Sequence, residues 1–182
     1  MSIYQCIFGH LLKLTRVEEA MNRVFFVDTA SLRTTDHSIF IAMKMEFRCF
    51  LCAFIDCMYT QTIQRFDQFL NKVRQIEDGS MESSIKEIYQ MHFDCFNHIK
   101  VGLYLDDKIV LDNIDCMLQL VLTFSRLSCG LVVPVSARGE KVLDYEELFK
   151  RWKECKEKFT VHVGERSESF GCQLMDSLLQ IG

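Results

Sequence analysis

An all-α fold, a bundle of about five or six helices with one irregular loop near residues 128–140, is what this chain predicts. Apolar residues recur at helical spacing through most of its length, and a single Pro and eight Gly leave few places for turns. Hydrophobic residues make up 49% of the 182 residues, with 15 Phe among them, enough for one substantial core. A turn-rich β-sandwich does not fit that composition, and residues 1–182 read as a single helical domain.

Ile7 to Phe26 reads as a first helix, with Leu11, Leu14, Val17, Met21 and Val24 on one stripe and Lys13, Arg16, Glu19 and Arg23 elsewhere. Asp28 to Ser38 is polar, and its Ser31, Thr34, Thr35 and Asp36 read as a connection and a helix cap. From Ile39 to about Arg74 the pattern is helical again. Its front half is apolar nearly all round, through Phe47, Phe50, Leu51, Phe54, Ile55 and Met58, and is expected to be buried on most sides. Its rear half places Ile63, Phe66, Phe69 and Leu70 on one face. Glu77-Asp78-Gly79-Ser80 is a break, and Ser83 or Ser84 caps the next helix, with Glu87 standing three residues after Ser84 as in a capping box.

Ile85 to Phe124 reads as two amphipathic helices joined by the polar hinge Leu105-Asp106-Asp107-Lys108. The first carries Ile85, Ile88, His92, Phe96 and Ile99, and the second carries Leu111, Ile114, Met117, Leu118, Val121, Leu122 and Phe124. Ser128 to Gly139 holds two Gly and the only Pro and reads as a surface loop, in which Leu131-Val132-Val133 is a short strand candidate without a partner. Tyr145, Leu148, Phe149, Trp152, Cys155 and Phe159 mark a helix from Asp144 to about Val163, and Phe170 to Leu179 is a short last one.

Charge and cysteine usage exclude several function classes. The net charge is −4, and a split at Leu105 gives 11 basic against 12 acidic residues before it and 10 against 13 after it, so neither half is a basic arm for nucleic acid. The most apolar window, Ile39 to Tyr59, is interrupted by Lys44, Glu46, Arg48 and Asp56, which argues for a core helix rather than a membrane span. No leader of the secretory type opens the chain, and the nine cysteines, an odd number, sit mostly inside helix-period segments. They read as reduced cytosolic thiols packed as small hydrophobes.

Cys49, Cys52 and Cys57, together with His92, Cys95 and His98, supply zinc-type ligands on paper. Phe47, Phe50, Phe54 and Met58 surround the first set, however, with none of the turn residues that wrap a metal, so the reading is no metal and no cofactor. No cysteine stands in the positive, partly exposed setting that makes a reactive thiolate, and no nucleophile signature is present, so no catalytic residue is assigned. Nor does the chain contain G-x-x-x-x-G-K-[ST] or G-x-G-x-x-G. His92 reads as a core histidine bonded to a backbone carbonyl or an acidic side chain.

Three stretches, in order, resemble the C-terminal domain of gamma-tubulin complex components. Leu11-Leu12-Lys13-Leu14-Thr15-Arg16-Val17-Glu18 is similar to the family's L-x-x-L-K-R-V-E helix, with Thr15 where Lys is usual. Met45 to Leu70 is similar to a long helix closing on W-x-x-F, with Phe66 and Phe69 in those places and the usual Trp absent. In Ile85 to Phe124, His92 falls on the family's single His, Phe96 beside its F-L pair and Asp106-Asp107-Lys108 on its hinge. After Leu131 only the pattern of two closing helices matches.

The resemblance implies a non-enzymatic scaffold that binds gamma-tubulin and other components of the microtubule-nucleating complex, in the cytoplasm, at the cytoskeleton and its microtubule organizing centres. It also implies that a long N-terminal domain for lateral contacts and the first half of the C-terminal domain are missing, so that the chain is a fragment, short isoform or reduced paralogue able to touch gamma-tubulin but not to form a nucleating array. Neither nucleic acid nor membrane is an expected partner. Arg65, Lys72 and Arg74 at the end of the long helix are either a solvated face or charges that meet an acidic tubulin surface. Arg16, with Glu18 and Glu19, is either partner-facing or part of an ion pair bracing the first helix. The competing readings are a helical adaptor unrelated to tubulin and a metal or thiol module.

Overall fold

A computed structural model describes residues 3–24, 34–130 and 144–164, and among them every regular element is a helix. The predicted all-α bundle is therefore the observed one, with α1 at Ile3–Val24, α2 at Thr34–Glu77, α3 at Ile85–Gly102, α4 at Lys108–Ser128 and α5 at Tyr145–Gly164. The expected strand at Leu131–Val133, most of the loop around it and the closing helix Phe170–Leu179 lie outside the described residues.

α1 begins four residues before the predicted Ile7, because Tyr4 already has a packing partner: its ring lies 4.3 Å from that of Phe96 in α3. Ile7, Leu14, Val17, Met21 and Val24 form its buried stripe. α2, of 44 residues, is about 66 Å long at 1.5 Å per residue and is the longest of the five. It starts at Thr34 rather than Ile39, the polar run read as a cap being its first turn.

The front half of α2 is not buried on most sides. Phe40, Met43, Phe47, Phe50, Leu51, Phe54, Cys57 and Met58 form one broad buried face, while Met45 and Cys52 are exposed. In the rear half Phe66 and Phe69 are half-buried against α3, whereas Ile63 and Leu70 face solvent.

Local chemistry fixes the helix ends. α2 stops where Gly79 takes φ +78°, a left-handed conformation that side chains disfavour, and the Met81 N–H folds back to the Gln75 carbonyl at 2.9 Å. The predicted capping box opens α3: the Ser84 hydroxyl accepts from the Glu87 N–H, and the Glu87 carboxylate accepts from the Ser84 N–H at 2.6 Å. The Ser84 N–H foremost, then the Ser84 and Ser83 hydroxyls donating to the same carboxylate, hold the Glu87 carboxyl below its ordinary pKa.

The hinge between α3 and α4 is more firmly anchored than a polar linker. Leu103 and Leu105 are buried, and Asp107, only 8% exposed, caps α4 by accepting from the Ile109 and Val110 N–H groups. Its other carboxylate oxygen lies 3.3 Å from His162 Nε2, tying the end of α5 to the hinge.

The core is aromatic at its centre. Trp152 of α5 is 1% exposed and meets Phe47 and Phe50 of α2 at centroid distances of 4.5 and 5.2 Å, and Phe124 of α4 closes on Phe47 at 5.1 Å. The Trp152 indole N–H donates to the Glu46 carboxylate at 2.8 Å, so the largest core side chain is buried with its polar atom satisfied. The packing joins α2, α4 and α5 in one region, with α1 laid across α4, α2 and α3.

Candidate partner-binding surface

The basic residues singled out in the sequence do not form one patch. Arg65 and Lys72 are brought together in a groove of about 260 Å³ between the rear half of α2 and α3, lined also by Phe69, Met91, Asp94 and His98. The helical spacing of α2 places them there, since residues seven apart share a face. Arg74 lies outside that groove, its guanidinium 3.4 Å from Asn71 Oδ1, and Arg65 donates to Gln68 at 3.3 Å. Two cations against the single carboxylate of Asp94 leave the groove positive.

Arg16 lines a second groove, of about 520 Å³, between α1 and α4, with Lys13, Arg23, Asp115 and Arg126. The ion pair that braces α1 against its neighbour is Lys13 with Asp115 at 2.9 Å, not a pair made by Arg16, and Glu19 is taken by Arg23 at 2.6 Å. Arg16 is thus on the open face, and the groove holds four cations against two carboxylates already engaged.

His92 has a different partner from the expected carbonyl or acid. Its Nε2 is 2.8 Å from the Tyr4 hydroxyl, and its ring packs on Phe69 at 5.5 Å and Phe96 at 5.0 Å. This histidine ties α1, α2 and α3 together. His98 Nδ1 instead lies 2.7 Å from the Asp94 carbonyl, and the Cys95 thiol donates to the Arg65 carbonyl at 3.4 Å. Among the described residues no three His, Cys, Asp or Glu side chains converge on a point where a metal would sit. Burial pushes the Cys57 thiol up to about 12, with Asp56 adding to it, and burial also raises Cys95 against the pull of Arg65. Both shifts disfavour the thiolate, the opposite of what a nucleophile needs.

The surface feature that sequence reasoning missed is apolar. Tyr4, Phe8 and Leu12 are exposed on α1, and Ile85, Tyr89 and Phe93 on α3, each set at i, i+4, i+8. Ile85, expected on the buried stripe of α3, is 88% exposed, and Tyr89 is 70% exposed. Phe96 and Ile99 of the expected stripe do turn inward, with Cys95 beside them, while Ile85, Tyr89 and Phe93 stay open. The signal was present in the sequence, since both helices carry more apolar residues than one buried stripe uses. α1 and α3 are in contact through Tyr4, His92 and Phe96, which sets the two rows on neighbouring helices.

No helix among the described residues is long and apolar enough to cross a membrane. Comparison with curated proteins and with solved structures returned no match. The family model described as gamma tubulin complex component C-terminal matches residues 1–171. Because that match covers nearly all of the 182 residues, the chain belongs to the gamma-tubulin complex component C-terminal family.

Proposed function

We propose that this chain is a gamma-tubulin-binding scaffold segment of a microtubule-nucleating complex, one helical domain acting by protein–protein contact and without catalysis of its own. The family match over residues 1–171 carries the reading. Its working place is the cytoplasmic cytoskeleton, at microtubule organizing centres such as the centrosome or spindle pole during mitosis, and its partners are gamma-tubulin and other components of the complex. The exposed apolar rows of α1 and α3 support it, because contiguous apolar surface on a folded chain marks a place where a partner excludes water. Arg65 and Lys72 in the α2–α3 groove, with Arg74 beyond it and Arg16 on the α1–α4 side, supply the positive charge that speeds and orients docking on an acidic protein.

The test is equilibrium binding of the purified chain to purified gamma-tubulin. Binding is expected, weakening as salt rises. Tyr89→Ala and Phe93→Ala are each expected to lower affinity about tenfold, as for apolar anchors at an interface centre, and Arg65→Glu with Lys72→Glu to act mainly on the association rate. A folded chain that shows no binding at low salt would refute the reading.

A further inference from the structure

Across the α4–α5 interface, Cys116 Sγ and Cys155 Sγ lie 2.9 Å apart, less than about 1 Å beyond the ~2.05 Å of a bonded pair. The Cys6 and Cys95 sulfurs, by contrast, turn to backbone carbonyls. Cys116 is exposed and Cys155 half-buried, so one sulfur of the pair is open to a reagent while the other waits behind it. We propose that Cys116 and Cys155 are a reversible disulfide-forming site that takes a low-molecular-weight disulfide as its oxidant and pins α5 onto α4.

The chemistry runs in two exchanges. The Cys116 thiol loses its proton to solvent, attacks one sulfur of the small disulfide and breaks that S–S bond, and the released thiolate is protonated. Cys155 then loses its proton, attacks Cys116 Sγ and expels the second small thiolate. Two protein thiols are oxidised and one disulfide is reduced to two thiols. Cys155 is the second to react because its thiol is pushed up to about 12, by burial first and then by the hydrogen bond and charge of Cys116. Those two contributions from Cys116 disappear once its sulfur is capped, while Lys158 favours the Cys155 thiolate and Glu154 opposes it. The bond closes a loop spanning 39 residues, which restrains the unfolded chain and so raises stability.

The full chain, equilibrated in graded mixtures of reduced and oxidised glutathione, acid-quenched, alkylated and digested, decides the matter by peptide mass spectrometry. The expected result is a linked peptide joining Cys116 to Cys155 that forms before the exposed Cys52 is modified, with a melting temperature raised on the order of 10 °C. Both changes vanish in Cys116→Ser, a substitution at an exposed position. The proposal fails if Cys116 and Cys155 are both still alkylated when Cys52 already carries glutathione. It fails equally if Cys116 of the wild-type chain holds glutathione as a mixed disulfide that Cys155 never resolves, an arm that needs no variant to fold.

Discussion

At the scale of single residues, fold stability rests on aromatic side chains that have no room to move. Phe50 and Phe54 stack at 5.8 Å with their rings 11° from parallel, and both are buried, as one helical turn between them at the centre of α2 predicts. Replacing either by Ala is expected to cost about 3–5 kcal/mol in urea unfolding, the range for large aromatic truncations in packed cores. A cost within error would mean that the ring is exposed in solution. His10 gives the chain a pH response. Burial foremost, then the nearby Lys13, lower its pKa from 6.5, with Asp115 opposing. Below 6.5 the unfolded chain therefore binds a proton that the folded chain resists, so His10 makes stability fall as pH drops from 6.5 through the folded-state value. His10→Gln is expected to flatten that limb of a stability-versus-pH curve as pH falls below 6.5, and an unchanged slope would remove His10 as its source.

At the scale of elements, helix ends are where short-range chemistry meets packing. Ser84 and Asp107 both cap, but Ser84 is exposed and Asp107 is buried with a second partner in His162. Ser84→Ala is expected to cost about 1 kcal/mol, and Asp107→Ala about 2 kcal/mol, since the latter also strands buried N–H groups and the imidazole. Chemical denaturation of the two variants tests the order, and equal costs would mean that the hinge adds nothing beyond a cap. The same hinge shows why polarity of sequence misleads: Asp107 looks like a linker residue, yet Leu103 and Leu105 on either side of Tyr104 enter the core and carry it inward.

At the scale of the whole molecule, five helices among the described residues share one core, in which α5 supplies the Trp that α2 and α4 enclose. Far-ultraviolet circular dichroism is expected to show a strongly helical protein that melts in a single transition, because no described helix has a core of its own. A sheet-dominated spectrum would overturn the fold and with it the family placement. The described surface divides into open apolar rows on α1 and α3, positive grooves beside α2 and α4, and a paired-cysteine seam between α4 and α5.

The sequence by itself determined the helical class, the break at Gly79, the Ser84–Glu87 box, the Asp106–Lys108 hinge and the family, because each depends on spacing within a few residues or on motif order. Helical period also marked Phe47, Phe50, Phe54 and Phe124 as core, since the roughly 3.6-residue turn fixes which side chains share a face. Only the tertiary structure decided that a second apolar row on each of α1 and α3 stays open, that Arg65 and Lys72 meet in a groove while Arg16 and Arg74 lie apart from it, that His92 answers Tyr4, and that Cys116 faces Cys155. Those outcomes depend on how neighbouring helices rotate and cross to fill the core at close packing, a property of the assembled set of side chains that no single helix's period contains.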